Sequence, residues 1–263
     1  MDSTTHLPIL RIEGGDRLET DDEVISEFQL TIVFNGQELV TLACSPTMLD
    51  FLAVGFLLSE GFIRSKDDIK KIDIDNDKWV VKVEAQEIEK GVGSIFKRRF
   101  IASGGARGAA LYKDGGMDDY QLVRSENMLD FGWITEKMDE FKKRSDIFKS
   151  TGGAHSAALC DESGIKLFAE DIGRHNAIDK VFGRCLLDGI ETGDKILLTS
   201  GRVSSEIVLK VAKRGVPFLI SKAAPTDLGV KLSEKLGITL VGFVRGDRMN
   251  VYSHGWRVST DGG

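Results

Sequence analysis

The segments Phe28–Phe34 (FQLTIVF) and Gln37–Ala43 (QELVTLA) are apolar runs that flank Asn35-Gly36. Both turn residues tolerate positive φ, so the pattern predicts a two-residue β-hairpin. Met48 to Glu60 follows, with Met48, Leu49, Phe51, Leu52, Val54, Leu57 and Leu58 leaving little polar surface. This predicts a mostly buried helix, with Ser45 as its cap, Pro46 in its first turn and Gly61 at its end. Ile69–Ile74 and Trp79–Val83 predict a second hairpin around Asn76-Asp77, and Glu126 to Phe148 one long amphipathic helical stretch. Between them, Gly91, Gly93, Ser103–Gly108 (SGGARG) and Gly115-Gly116 read as a flexible connection. A boundary near residue 116 would divide the chain into a β-rich part, 1–116, and an α/β part, 117–263.

Ser156–Cys160 and Ile165–Ala169 predict two further strands, followed by a helix over Arg174–Leu187. The last third then alternates: strand at Lys195–Ser200, helix at Ser204–Arg214, strand at Val216–Ser221, helix at Thr226–Leu236, strand at Ile238–Val244. That βαβαβ order implies parallel strands with right-handed crossovers. The expected fold class is mixed α/β (α+β).

Composition narrows the class. The chain of 263 residues is 41% hydrophobic and 29% charged, the balance of a globular protein. No apolar run is long enough to span a bilayer, and Met1–Arg11 lacks the basic-then-apolar pattern of a secretory signal. A cytoplasmic protein without membrane contact is the expectation. Cys44, Cys160 and Cys185 are far apart, which excludes a disulfide scaffold and a Cys₄ zinc site. The net charge of −6 hides an asymmetry: Lys195–Arg257 carries eleven basic residues against four acidic ones, +7, leaving −13 elsewhere. A local anionic ligand fits that pattern better than nucleic acid does; solvated helix faces are the plain alternative.

The candidate chemistry follows from the topology. In a parallel sheet, ligands bind at the carboxyl ends of the strands. The loops predicted there are Gly201-Arg202-Val203-Ser204-Ser205, Lys222-Ala223-Ala224-Pro225-Thr226 and Arg245-Gly246-Asp247-Arg248. Each carries a cation, and two lead into helix N-termini, which favour anions. They predict a phosphate or pyrophosphate cradle; simple helix capping by Ser204, Ser205 and Thr226 is the alternative. No Walker A and no G-x-G-x-x-G sequence is present, so a standard ATPase or a Rossmann dehydrogenase is disfavoured. Glu170–Lys180 (EDIGRHNAIDK) is the densest polar cluster, with His175 and Asp179 one helical turn apart, able to share a proton or a metal ion. Asp171 is placed to cap that helix. Thr151-Gly152-Gly153-Ala154-His155 lets backbone approach a ligand and puts His155 at a strand start. The zinc deaminase motifs H-x-E and P-C-x-x-C are missing. Cys44, just before a helix, is the candidate for a lowered thiol pKa; Cys160 and Cys185 read as core.

Gly55–Ile63 (GFLLSEGFI), Thr151–Leu159 (TGGAHSAAL), Glu170–Lys180, Leu198–Glu206 (LTSGRVSSE), Ser221–Asp227 (SKAAPTD) and Phe243–Tyr252 (FVRGDRMNVY) together resemble the FdhD family of formate dehydrogenase accessory proteins. The resemblance runs from about Glu23 to His254. It implies a cytidine deaminase-like mixed sheet with a smaller β-rich part, and a cytoplasmic homodimer. It also implies a sulfur carrier that takes sulfur from a cysteine desulfurase as a persulfide. The sulfur passes to the molybdenum cofactor, bis-molybdopterin guanine dinucleotide, before insertion into formate dehydrogenase. The family's persulfide motif C-G-x-C-G matches Gly104-Gly105-Ala106-Arg107-Gly108, so Gly104 and Arg107 stand where the two cysteines would be. Neither holds a persulfide, and Cys44 is the substitute candidate. The family's guanine-dinucleotide motif matches Phe243-Val244-Arg245-Gly246-Asp247-Arg248. The resemblance thus makes these six residues cofactor contacts, beside Gly201, Arg202, Ser204, Ser205, Lys222, His155 and His175 from the loop reading. GDP or GTP would be partial mimics. A cofactor-binding and delivery module without sulfur transfer is the alternative; a nucleotide-hydrolysing enzyme using His155 or His175 is the third reading.

Overall fold

The computed structural model describes residues 2–86, 99–101 and 122–260. The chain opens with an antiparallel ribbon, β1 (Thr4–Glu13) and β2 (Asp16–Ile25), turned at Gly14-Gly15. Both faces of this ribbon are rich in polar and charged residues, so no apolar stripe marks it in the sequence. Next come β3 (Phe28–Phe34) and β4 (Gln37–Cys44), joined as predicted at Asn35 (φ 48) and Gly36 (φ 79). Helix α1 (Leu49–Glu60) follows, then the antiparallel pair β5 (Ile69–Asp75) and β6 (Val80–Ala85), then β7 (Arg99–Ile101). These strands form a five-stranded sheet in the order β5-β6-β3-β4-β7.

Helix α1 ends at Gly61 in the left-handed conformation, but Ser45 does not cap its start. Met48 occupies the cap position, while Ser45 is buried and bonded elsewhere: its N–H donates to Asp171 and its hydroxyl accepts from the Ile172 N–H. A long-range pairing takes the side chain that local sequence assigns to the helix.

The predicted stretch Glu126–Phe148 is broken. A short strand β8 (Leu129–Asp130) leads into α2 (Phe131–Arg144), where Asp130 caps by accepting from the Trp133 N–H. The chain then turns at buried Ser145 into α3 (Asp146–Thr151). The hydroxyl of Ser145 bonds the Phe141 carbonyl and Ser156, and the carboxylate of Glu170 accepts from the N–H groups of Ile147 and Phe148.

The main sheet is built from β9 (His155–Asp161), β10 (Gly164–Asp171), helix α4 (Arg174–Asp188), β11 (Ile196–Thr199), α5 (Ser205–Lys213), β12 (Phe218–Ser221), α6 (Asp227–Leu236) and β13 (Thr239–Arg245). Strands β11, β12 and β13 are parallel, as the βαβαβ reading predicts. Strand β13 then folds back on β14 (Arg248–Val251), an antiparallel edge strand absent from the sequence reading; β15 (Val258–Ser259) pairs with β8. The six strands lie in the order β10-β9-β11-β12-β13-β14.

One apolar cluster packs Leu197, Leu219 and Leu240 of the main sheet under α4, α5 and α6, and continues through α1 to Leu30 and Ile32 of the five-stranded sheet. A second packs Ile134, Met138 and Phe141 of α2 on the opposite face, against Leu198, Ile220 and Val241. Helix α1 is apolar all round because it is covered on both sides. It crosses α4 backbone to backbone: a Cβ on Gly55 would stand 1.8 Å from the Asp179 carbonyl oxygen, and one on Gly183 would stand 1.9 Å from that of Phe51. Only glycine permits that approach.

Candidate functional site

Strand direction gathers the candidates. The carboxyl ends of β11, β12 and β13 present Gly201-Arg202, Lys222 and Arg245 on one edge. Strand β9 runs antiparallel to β11, so its first residue, His155, reaches the same edge, where its Nδ1 lies 3.2 Å from the Ser200 hydroxyl. Strand β10 ends there too, and α4 begins with Arg174 and His175. The loops are laced together: the Ser221 hydroxyl donates to the Gly201 carbonyl, the Val203 N–H to the Ala224 carbonyl and the Thr226 N–H to the Val203 carbonyl. A Cβ on Gly201 would stand 2.8 Å from the Cβ of Arg174, so the bare backbone lets this arginine lie against the loop.

Thr226 caps α6 by accepting from the Gly229 N–H. Ser204, at the same position before α5, does not: its hydroxyl oxygen is buried and has no hydrogen-bond partner among the described residues. Ser205 is the first residue of α5. A buried polar atom without a partner is costly, and a bound anion is one means of satisfying it.

The edge is cationic and its histidines are neutral. Burial, then Arg174 and Lys222, hold His155 below the usual imidazole range. Burial, followed by Lys210, Arg174 and His155, takes His175 down to about 3. Its Nε2 stands 3.4 Å from Glu206, and with a neutral ring that contact is no ion pair. The Lys222 ammonium is pushed down by burial, then by Lys142 and Arg245. Like charges held together in this way are suited to an anion.

The third loop is a hairpin turn rather than a strand-to-helix connection. Arg245, Gly246, Asp247 and Arg248 are all exposed on it, and Phe243 (φ 55) sits at a break in register. Val244 is buried in the second apolar cluster, so its side chain faces the core.

The polar run Glu170–Lys180 divides in two. Arg174 and His175 belong to the edge. Asp171 is not the cap of α4, a position held by Gly173. It binds the N–H groups of Ser45 and Gly173, the Asn176 amide and the ammonium of Lys180. The expected sharing between His175 and Asp179 does not occur, because Asp179 is taken by Ser59 and Lys210. Among the described residues no group of three or more His, Cys, Asp or Glu side chains is arranged to hold a metal ion.

Cys44 lacks the lowered thiol pKa expected of it at a helix start. It is fully buried, and burial, then Asp171, push its thiol up to about 12. The helix start expected to lower it is outweighed by desolvation. Cys160 is likewise pushed up by burial to about 12 and Cys185 to about 11. Gly104 and Arg107 lie outside the described residues.

The loop reading did not include Lys142, Phe148 and Lys149 of α2 and α3, which face Ser200, Lys222 and Arg245 across a pocket. Amphipathic periodicity marks these residues only as the polar side of a helix.

A family model described as the FdhD/NarQ family matches residues 25–259. A sulfur carrier protein FdhD of Listeria monocytogenes is 42% identical over 259 residues, covering 96% of this chain and 98% of its own. One from Bacillus subtilis is 40% identical, covering 95% of each. The crystal structure of a candidate formate dehydrogenase accessory protein from Desulfotalea psychrophila superposes with a TM-score of 0.81 at 26% identity, covering 98% of this chain and 100% of that one.

Proposed function

Because the chain belongs to the FdhD/NarQ family, we propose that it serves formate dehydrogenase maturation by holding the guanine-dinucleotide form of the molybdenum cofactor at the cationic carboxyl edge of its main sheet. The observation that carries this reading is the convergence of Arg174, Arg202, Lys222 and Arg245 on one edge, beside His155 and His175. The donor set suits pyrophosphate oxygens: guanidinium forks, an ammonium, and the α5 N-terminus with its unpaired Ser204 hydroxyl. When bound, the cofactor supplies the molybdenum chemistry of the enzyme that receives it. What this chain supplies is binding and orientation, with Arg202 and Lys222 on the phosphates and Asp247 as an acceptor for a guanine edge. Formate dehydrogenase is the recipient in this reading.

The curated relatives are named sulfur carriers. A persulfide carrier needs an accessible thiolate. The three cysteines of this chain are buried with thiols raised to about 11 or 12, which favours delivery without sulfur carried on this chain. Among the described residues no helix is long and apolar enough to cross a membrane.

Calorimetry with GDP tests the reading. Single-site binding that weakens about tenfold in Arg202→Ala, the loss of one charge-assisted contact, is expected. No binding, or binding indifferent to this substitution, overturns it.

A further inference from the structure

The β1–β2 ribbon plays no part in the reading above. Its foot sits beside the proposed cofactor edge: β2 packs on α3, and a Cβ on Gly153, shortly before His155, would stand 2.6 Å from the Ile25 Cγ2. From there the strands run ten residues each to the Gly14-Gly15 turn, a reach of about 30 Å at ~3.4 Å per residue. Every residue from Leu10 to Glu19 is exposed. A two-stranded ribbon is at best marginally stable by itself, and a long exposed one is a template for a partner.

Strand alternation places His6, Pro8, Leu10 and Ile12 of β1 on one face, with Glu23, Asp21, Glu19 and Arg17 of β2 directly opposite them. An apolar row, Pro8, Leu10 and Ile12, therefore runs beside an acidic row, Glu19, Asp21 and Glu23. Leu10 is 45% and Ile12 63% exposed. Over the whole ribbon six acidic residues stand against two arginines. Arg11 is paired with Asp22 on the other face at 3.0 Å, and among the described residues no ion pair neutralises Glu19, Asp21 or Glu23. Unpaired like charges held in a row repel one another. A basic surface relieves that repulsion, and the apolar row beside it excludes water from the contact. A second copy of this face brings the same unpaired carboxylates, so charge argues for a different protein.

Resting on formate dehydrogenase as the recipient, we propose that this face of the ribbon is a docking arm for that enzyme, engaging a segment of it that sets a row of Lys or Arg beside an apolar row. The foot of the arm on α3 holds the docked enzyme next to the edge from which the cofactor is handed over.

Biolayer interferometry of the full chain against formate dehydrogenase prepared without its molybdenum cofactor tests this. Wild type should bind, and more weakly as salt rises. Leu10→Ser/Ile12→Ser and Glu19→Lys/Asp21→Lys should each weaken binding about tenfold or more. Leu18→Ser, 60% exposed on the opposite face, should stay within about twofold. All three should keep the wild-type urea midpoint, because the far half of the ribbon lies outside both apolar clusters. Full binding by both double variants, or an equal loss in Leu18→Ser, overturns the docking arm and leaves formate dehydrogenase standing as the recipient. No binding by wild type overturns both. A double variant whose own mass halves in sedimentation equilibrium overturns the arm too, because the face then joins two copies of this chain.

Discussion

Lys180 and Asp171 form an ion pair at 2.7 Å with both side chains fully buried. Lys180 also donates to the Glu170 carbonyl at 3.0 Å, and Asp171 receives the Ser45 N–H, so the pair ties β4, β10 and α4 together. Breaking such a pair from one side leaves a buried charge, at a cost of about 3–5 kcal/mol. Lys180→Met should lower the urea midpoint accordingly, and adding Asp171→Asn should restore part of the loss. A single variant as stable as wild type contradicts this.

The crossing of α1 over α4 makes a second prediction. Gly183→Ala would drive a methyl group into the Phe51 carbonyl, and Gly55→Ala into that of Asp179. Each should destabilise by about 1–3 kcal/mol or more, as overpacking does. Equilibrium urea unfolding reads it directly, and a loss below about 0.5 kcal/mol would show that the helices do not meet this closely.

His175 sets an acid limit. It is faced by Lys210, Arg174, His155 and Glu206, and its folded pKa is about 3 against 6.5. Between those values the unfolded state binds a proton that the folded state does not. Stability therefore falls as pH drops from about 6.5 towards 3, by up to about 1.4 kcal/mol per unit. His175→Gln should flatten that slope; parallel stability–pH curves for the two proteins would contradict it.

The thiols give a third kind of test. Cys44, Cys160 and Cys185 are all buried. A disulfide reagent should label them in the native protein no faster than the protein unfolds, and label all three at once in guanidinium chloride. Rapid native labelling of any one would reopen the search for a sulfur-bearing residue.

Much of this was legible in the chain. The Asn35-Gly36 hairpin and the βαβαβ third were readable because their signals are local, and Arg202, Lys222 and Arg245 fall on one edge once the strands are parallel. The division of Glu170–Lys180 was not readable. Asp171 is drawn inward by Ser45, 126 positions away, and Asp179 by Ser59, 120 positions away; no local pattern reports such partners. The β1–β2 ribbon was invisible because neither face is buried enough to leave an apolar stripe. Phe148 read as one more helical residue, and only the turn at Ser145 brings its helix to the pocket.

The proposal to be tested first is that this chain binds the cofactor and delivers it without carrying the sulfur itself. Native mass spectrometry tests it most directly, on the chain incubated with a cysteine desulfurase, cysteine and bis-molybdopterin guanine dinucleotide. The account predicts a complex of mass chain plus cofactor, lost in the Lys222→Ala/Arg245→Ala double variant, and no persulfide on any of the three cysteines. A persulfide on the chain, or the absence of a cofactor complex, would contradict it.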